Sequence, residues 1–126
     1  MSDTKNKVLL IDDDSSVLEM VTRLLEGKGF VVSTAKDGLD GLRAIERQRP
    51  DLIISDILMP TLDGLTLVKA LKRRKETRMI PVIFLTSKSD PLSMIEGINV
   101  GAKFYVTKPF QTDDLLSKVG KVLKQG

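Results

Sequence analysis

The chain has 126 residues, which predicts one compact domain over residues 1–126 with a core spanning about 7–123. It contains no cysteine, which excludes disulfide frameworks, zinc–cysteine sites and thiol catalysis. It also contains no histidine, which excludes the Ser-His-Asp triad and most transition-metal sites. The net charge is +3, but aromatic residues make up only 4% of the chain, so we do not expect a surface that stacks on nucleic-acid bases.

The sequence shows neither a signal peptide nor a membrane-spanning segment. Residues 1–7 are polar, and the apolar runs reach about five residues, against the roughly 20 that a membrane-spanning helix needs. We therefore expect a cytoplasmic protein without a membrane partner. Carboxylates, hydroxyls and lysines remain as the groups able to carry its chemistry.

Basic residues are concentrated in one part of the chain. Such a run is typical of a solvated helix face and the loop that follows it, and a patch that follows nucleic-acid phosphates is the less favoured alternative. The run consists of Lys69, Lys72, Arg73, Arg74, Lys75 and Arg78.

Short apolar runs alternate with amphipathic stretches along the chain, which is typical of an α/β protein. The apolar runs predict five strands, at residues 8–11, 30–35, 52–55, 82–85 and 103–107. The amphipathic stretches predict five helices, at residues 15–28, 38–48, 63–75 and 91–100 and from Thr112 onward. Ser16 and Glu19 have the spacing of a capping box at the start of the first helix.

The strand runs do not alternate with polar residues, which indicates strands that are buried on both faces. A parallel sheet covered by helices on each side has this property, and right-handed crossovers then produce a doubly wound fold. The periodicity does not determine the order of the strands. Sheets of this class bind ligands at the carboxyl ends of their strands.

Polar residues stand at the ends of four of the five predicted strands. Asp12 and Asp13 follow the first strand, Asp56 the third, Thr86 the fourth and Lys108 the fifth. Helix capping explains any one of these residues alone, but it does not explain the whole set. We therefore expect the five side chains to form a site at one edge of the sheet.

The residue types of this site indicate phosphoryl chemistry. Three adjacent carboxylates repel one another, and a hard divalent cation such as Mg²⁺, or Mn²⁺, removes that repulsion. A lysine ammonium and a threonine hydroxyl both bind phosphoryl oxygens. Asp56 is then a nucleophile or a metal ligand.

With these motifs in place, the chain resembles the receiver domains of two-component response regulators, particularly single-domain chemotaxis regulators. The resemblance covers residues 7–123 and implies a flavodoxin-like five-stranded sheet in the order 2-1-3-4-5 with five helices. The matching segments are residues 8–14, 56–60 with Asp63 and Gly64, 81–87, Gly101 and Ala102, and Tyr105 with residues 108–110.

The resemblance implies a role for each residue of the acidic group. Asp56 is expected to accept the phosphoryl group. Asp13 is expected to bind Mg²⁺ directly and Asp12 through water, and the backbone carbonyl of Leu58 is expected to complete the metal site together with Asp56. A receiver domain is not a classical enzyme, although it catalyses its own phosphorylation and dephosphorylation.

The resemblance also implies a switch and an interaction surface. Thr86 is expected to donate a hydrogen bond to the phosphoryl group, Lys108 to pair with it, and Tyr105 to turn inward when Thr86 moves. The Lys108–Pro109 peptide bond is expected to be cis. Met94, Ile98 and Tyr105 are expected to form an exposed patch for a downstream protein or a second copy, although the helical pattern also allows Met94 to be peripheral core.

Two side chains are expected to control the lifetime of the phosphorylated state. By resemblance, Leu58 and Lys88 flank the path of the water that hydrolyses the acyl phosphate. Leucine cannot hydrogen-bond that water, and lysine can only donate hydrogen bonds, so it cannot take a proton from it. We therefore expect a long-lived phosphorylated state.

The phosphoryl donor must be another molecule, because the chain has no histidine. A histidine kinase or a histidine phosphotransfer protein is the expected partner, with a small phosphodonor as a substitute. Two other functions stay open at this stage. An aspartate-nucleophile phosphatase of the haloacid-dehalogenase type carries a second carboxylate two residues after its nucleophile, where this chain has Leu58. The other is a pseudo-receiver that binds partners without being phosphorylated.

Overall fold

The computed structural model describes residues 6–59, 61–87, 95–96 and 99–123. Its five strands all lie in one parallel sheet, in the order β2-β1-β3-β4-β5, as the resemblance implies. The predicted strands are therefore confirmed to within about two residues at each end. Their bounds are β1 Lys7–Ile11, β2 Val31–Ala35, β3 Leu52–Asp56, β4 Val82–Ser87 and β5 Phe104–Lys108.

Four helices are present in the part of the chain that the structure describes, against the five that the sequence predicts. The predicted helix at residues 91–100 lies largely outside the described residues, although residues 95, 96, 99 and 100 have helical backbone. The four helices are α1 Ser15–Glu26, α2 Gly38–Arg47, α3 Gly64–Lys72 and α4 Thr112–Leu123.

Each face of the sheet carries its own hydrophobic core, because successive strand residues point to opposite faces. In β1, Leu9 packs with residues of α2 and α3 on one face, while Leu10 packs with residues of α1 and α4 on the other. Both leucines are almost completely buried. The doubly wound arrangement predicted from the sequence is therefore confirmed, with two helices on each face among the described residues.

The first helix begins two residues earlier than a capping box at Ser16 and Glu19 requires. Asp14 is the N-cap, and its Oδ1 accepts hydrogen bonds from the Ser16 backbone N–H at 2.9 Å and the Ser16 hydroxyl at 2.6 Å. Ser16 therefore lies inside the helix, and Glu19 pairs with Arg23 instead. The capping box at Ser16 and Glu19 was a wrong prediction, because the Asp14 carboxylate, two residues earlier, caps the helix first.

The third helix ends at Lys72, three residues before the predicted end at residue 75. The Thr77 hydroxyl donates to the Leu71 carbonyl at 2.7 Å, and the Arg74 N–H reaches that same carbonyl at 3.2 Å. These contacts close the helix with a tight turn, because they satisfy a carbonyl that another α-helical turn would use. The basic run therefore covers the end of α3 and the loop after it.

Thr61 lies in the loop between β3 and α3 with a φ of 72°. A β-branched residue in this left-handed region is strained by roughly 1–2 kcal/mol. We expect Thr61→Gly to raise the free energy of unfolding by about 1 kcal/mol. The backbone strain that glycine relieves in the folded state is larger than the cost of the greater conformational entropy that it gives the unfolded chain. Urea denaturation measures the change. Thr61→Ala is the control and should give a smaller gain; a lower stability for Thr61→Gly than for the unsubstituted protein would contradict the prediction.

Candidate functional site

The candidate site lies at the carboxyl end of the sheet. Four neighbouring strands, β1, β3, β4 and β5, end there. Asp12 follows β1 directly, Asp56 and Lys108 are the last residues of β3 and β5, and Thr86 is the next-to-last residue of β4. The strand order therefore brings together side chains that are up to 96 positions apart in the chain.

Three carboxylates form a compact cluster at this edge. One oxygen from each of Asp12, Asp13 and Asp56 lies within 4.8 Å of the others. Asp12 is buried, Asp56 is partly buried and Asp13 is exposed. The cluster therefore presents oxygen ligands that run from the protein interior to solvent, a donor set that suits a hard divalent cation.

Lys108 connects two members of this cluster. Its Nζ lies 2.8 Å from Asp12 Oδ2 and 3.2 Å from Asp56 Oδ2. The side chains of Asp12, Asp56 and Lys108 are 0%, 14% and 27% exposed. A single ammonium group thus offsets part of the repulsion between two carboxylates that are largely removed from water.

Asp12 and Asp13 differ in how their carboxylates are engaged. Asp12 Oδ1 accepts the Asp14 backbone N–H at 2.9 Å, and its Oδ2 accepts from Lys108, so both oxygens are used. The Asp12 backbone N–H is held by the Ala35 carbonyl at 3.1 Å. For Asp13 no hydrogen bond to its carboxylate is seen within the described residues. Asp13, whose side chain is exposed, is therefore more available to a metal ion than Asp12.

The site raises the pKa values of both Asp56 and Lys108. The rise disfavours the charged form of the carboxyl and favours the charged form of the amine. Burial raises the pKa of the Asp56 carboxyl above its usual range, Lys108 acts against this rise, and Asp12 adds to it. Burial by itself would lower the pKa of Lys108, but the hydrogen bond that Lys108 donates to Asp12 and the charges of both carboxylates outweigh burial and raise it. Lys108 is therefore protonated. Any further positive charge nearby would stabilise the ionised form of the partly buried Asp56 carboxyl.

The loop after β3 holds Asp56 from the backbone side. The Leu58 N–H donates to Asp56 Oδ1 at 3.3 Å, and the Ser55 hydroxyl donates to the Asp56 carbonyl at 2.8 Å. A Cβ on Gly64 would lie 2.5 Å from the Asp56 carbonyl oxygen and 2.9 Å from the Phe84 ring. Sequence reasoning missed the roles of Ser55 and Gly64, although Gly64 stands in one of the segments that match receiver domains.

Thr86 and Tyr105 occupy adjacent strands beside this cluster. Thr86 is buried, and the pairing of β4 with β5 places Phe84 opposite Tyr105, with ring centroids 6.2 Å apart. The Tyr105 ring is half-buried, burial raises the pKa of its hydroxyl, and that hydroxyl has no hydrogen-bond partner among the described residues. Met94, Ile98 and Lys88, which the sequence analysis singled out, lie outside the described residues.

Two further features bear on the predictions from sequence. The Lys108–Pro109 bond is cis, as the resemblance implies. Leu58 has an exposed side chain, 57% accessible, beside Asp56.

In the described part of the chain, no helix is both long enough and apolar enough to cross a bilayer.

A family model described as the response regulator receiver domain matches residues 8–120. The chain belongs to the response regulator receiver domain family. This receiver domain is therefore a signalling domain of two-component regulation, whose general function is to accept a phosphoryl group, rather than a classical enzyme. Its membership also separates it from the dehalogenase-type phosphatases that the sequence alone left open.

Solved structures support the same assignment. A response regulator from Chloroflexus aurantiacus J-10-fl is 34% identical, with a TM-score of 0.91 over 97% of this chain and 100% of that one. The chemotaxis response regulator CheY4 of Vibrio cholerae is 37% identical, with a TM-score of 0.88 over 94% of this receiver domain and 99% of that chain.

Curated relatives include longer regulators. The alkaline phosphatase synthesis transcriptional regulatory protein PhoP of Bacillus subtilis (strain 168) is 35% identical over 119 residues, which are 94% of this chain and 49% of PhoP. The DNA-binding response regulator MtrA of Mycobacterium tuberculosis (strain ATCC 25618 / H37Rv) is 32% identical over 99% of this chain and 54% of MtrA. The receiver domain thus spans about half the length of the curated relatives it matches.

Proposed function

We propose that this receiver domain takes a phosphoryl group onto Asp56 with the help of Mg²⁺ and changes its surface for a partner. The observation that carries the proposal is the contact of Lys108 Nζ with the carboxylates of both Asp12 and Asp56, beside Asp13. These residues combine a nucleophile, a metal-binding pair and a fixed cation in one place. Phosphoryl transfer needs these groups, because it is catalysed mostly by positioning the reactants and stabilising the charge on the transferred group.

The acidic cluster fits Mg²⁺, with Mn²⁺ as a substitute. Asp13 would bind the ion directly, Asp12 through water, and Asp56 and the Leu58 carbonyl would complete the site. When bound, the ion neutralises the carboxylates and the incoming phosphoryl oxygens. Three carboxylates, one ammonium and one divalent cation together carry no net charge, so the loaded site tolerates an incoming anion.

In the transfer step, an Asp56 carboxylate oxygen attacks phosphorus. A new P–O bond forms as the bond from phosphorus to the donor breaks, and the electron pair of that bond leaves with the donor. The donor is a phosphohistidine nitrogen of a histidine kinase or phosphotransfer protein, or the acyl oxygen of acetyl phosphate. Lys108 then holds a phosphoryl oxygen, and Thr86 donates a hydrogen bond to another.

We propose that Tyr105 couples phosphorylation to a change in the surface that binds the partner. If Thr86 moves toward the phosphoryl group, the half-buried Tyr105 side chain can turn into the space that Thr86 leaves. This rotation would change the surface along β5. Burial of the ring against Phe84 and the unpartnered hydroxyl support such a movement. The partner is a downstream protein or a second copy, and the patch with Met94 and Ile98 remains a prediction for residues outside the described set. Direct binding of this domain to nucleic acid is not part of the proposal.

The proposal is tested by incubating the protein with acetyl phosphate and following phosphoryl incorporation by intact mass. We expect one phosphoryl group per chain with Mg²⁺ and none when EDTA removes the ion. A protein that folds, binds partners and remains unlabelled under both conditions would be the pseudo-receiver instead.

Leu58 provides a test of the phosphoryl lifetime. In hydrolysis, water attacks phosphorus, the P–O bond to Asp56 breaks, and inorganic phosphate leaves. Leu58→Asn is expected to speed this decay several-fold, because an amide beside Asp56 can orient the water that leucine cannot hold. A tenfold change corresponds to only ~1.4 kcal/mol in the barrier. The measurement follows decay of the phosphorylated mass after the donor is removed.

The matched control is Leu39→Asn, which changes another exposed leucine, in α2. It is expected to leave the decay rate unchanged. Equal decay of the unsubstituted protein and Leu58→Asn would show that this side chain does not control the water. Lys88→Glu is expected to act in the same direction as Leu58→Asn, at a position outside the described residues.

A further inference from the structure

A groove of about 750 Å³ lies between α2 and α3. Its residues come from the whole of α2 and from the last turn of α3 and the loop that follows. The α2–α3 groove thus extends toward the opposite end of the sheet from Asp56, because both helices begin near the carboxyl ends of the strands. None of its lining residues belongs to the site proposed above.

Apolar side chains form the floor of the α2–α3 groove. Ile45 and Leu71 are buried below it, while Leu42 and Ala70 are partly exposed. Leu39, at one end, is 42% exposed. The groove therefore keeps apolar surface in contact with water although the surrounding helices are polar, which is a property of sites that bind another molecule.

Arginines line the rim of the groove. Arg43, Arg49 and Arg74 border it, together with Glu46 and Glu76. The Arg74 guanidinium lies 3.4 Å from the Glu46 carboxylate, and Arg49 Nε donates to the Glu76 backbone carbonyl at 3.1 Å. Arg43 has no carboxylate within ion-pair distance among the described residues. One arginine of the rim is thus paired with a carboxylate, and Arg43 is available to an incoming anion.

The chain around the groove is strongly basic. Residues 43–51 and 69–80 together contain nine Lys and Arg but only three Asp and Glu. The rest of the chain contains 11 Lys and Arg and 14 Asp and Glu, so it carries the opposite sign. The basic run noted in the sequence therefore belongs to one end of the molecule, where it creates a positive field around an apolar groove.

We propose that the α2–α3 groove docks an acidic amphipathic segment of a partner protein. Apolar side chains of that segment would cover Leu39, Leu42 and Ala70, and its carboxylates would pair with Arg43 and Arg49. A groove between two helices accommodates the apolar face of a third helix, and opposite charge around the rim sets its orientation. Charge complementarity is the argument for this occupant over an uncharged or basic one.

The lining favours a peptide over nucleic acid. The groove has no aromatic side chain on which a base could stack. Its floor is apolar, which a sugar–phosphate backbone cannot use. Docking at this face leaves the phosphoryl-accepting site uncovered, so the interaction is expected with and without phosphorylation.

The experiment uses three synthetic helical peptides of about 18 residues and the full chain labelled with ¹⁵N. The first peptide has leucines on one face and glutamates on the other. The second has glutamines in place of the glutamates, and the third has the first peptide's composition in scrambled order. Amide shifts in ¹H–¹⁵N spectra report where each peptide binds, and a short DNA duplex is titrated in parallel.

We expect the first peptide to bind saturably, with the largest shifts at amides of α2, α3 and the loop after α3, such as those of Leu42, Glu46, Ala70 and Thr77. The uncharged and scrambled peptides should bind at least tenfold more weakly. Arg43→Glu should weaken binding of the first peptide about tenfold, and Lys28→Glu, the same charge change beyond the end of α1, should stay within twofold. Both variants should still accept a phosphoryl group from acetyl phosphate, which separates this result from the function of Asp56.

Three outcomes would overturn the proposal. The first is no saturable shift at the groove up to millimolar peptide. The second is equal binding of the scrambled peptide, which would mean that charge alone attracts it. The third is tighter binding of the DNA duplex to the same amides, which would make the basic end a nucleic-acid surface. Leu39→Gln distinguishes the apolar contribution and should weaken the first peptide without changing the fold, because Leu39 is already exposed.

Discussion

Asp56→Asn is expected to abolish Mg²⁺-dependent phosphoryl incorporation from acetyl phosphate. Asparagine keeps the shape of the side chain but removes both the nucleophilic charge and a metal-binding oxygen. Asp56 also lies within the reach of Lys108, so the amide leaves that ammonium group with Asp12 as its remaining carboxylate partner in the described structure. Incorporation measured by intact mass should fall more than a hundredfold.

Asp14→Asn is the matched control for this change. Asp14 is an exposed acidic residue next to the cluster, and its Oδ1 caps α1 rather than facing Lys108. Asparagine is also a good N-cap, so the variant should fold and keep most of the incorporation. Full labelling of Asp56→Asn, or equal loss in both variants, would show that the phosphoryl group is accepted elsewhere.

Lys108→Met is expected to lower the free energy of unfolding at neutral pH by about 2–3 kcal/mol when no divalent ion is added. The substitution leaves the fully buried Asp12 carboxylate and the nearby Asp56 carboxylate without their shared cation, and breaking such a pair typically costs about 3–5 kcal/mol. The lower figure allows for the exposed quarter of the Lys108 side chain. Chemical denaturation with and without EDTA measures the loss.

Added Mg²⁺ should restore more stability to Lys108→Met than to the unsubstituted protein. The variant has lost the cation that competes for the same carboxylates, so a bound ion removes more repulsion from it. Lys118→Met is the control, because it breaks the Lys118–Asp114 pair in α4, whose carboxylate is 47% exposed rather than buried, and it should cost no more than about 1 kcal/mol. Equal losses in the two lysine variants would contradict a special role for Lys108 in holding the buried carboxylates.

The positions of the strands could be predicted from the sequence because burial on both faces leaves a local trace. β1, β3 and β4 read as continuous apolar runs, and the structure places each of them within the interior of the sheet. The edge strand β2 is an informative contrast. Val31, Ser33 and Thr34 are exposed there, so its run is less apolar, although its bounds were still predicted to within one residue.

Helix ends were predicted less well, because they depend on hydrogen bonds that several nearby groups compete to make. The end of α3 is determined by the Thr77 hydroxyl, which lies six residues beyond the carbonyl of Leu71 that it binds. The N-cap of α1 is determined by Asp14 in preference to Ser16. At the start of α1 the sequence contained two plausible caps, a carboxylate and a hydroxyl, and only the path of the backbone selected between them.

By itself, the sequence determined the residues at the strand ends and therefore the chemistry available to this protein: carboxylates, a hydroxyl and a lysine, without histidine or cysteine. Periodicity could not show that β1, β3, β4 and β5 are neighbours, because strand order depends on contacts between distant segments. Only the tertiary structure decided that Lys108 spans Asp12 and Asp56, and that α2 and α3 leave a groove bordered by arginines. The physical reason is that side-chain identity is a local property, whereas a distance between residues 12, 56 and 108 follows from how the whole sheet packs.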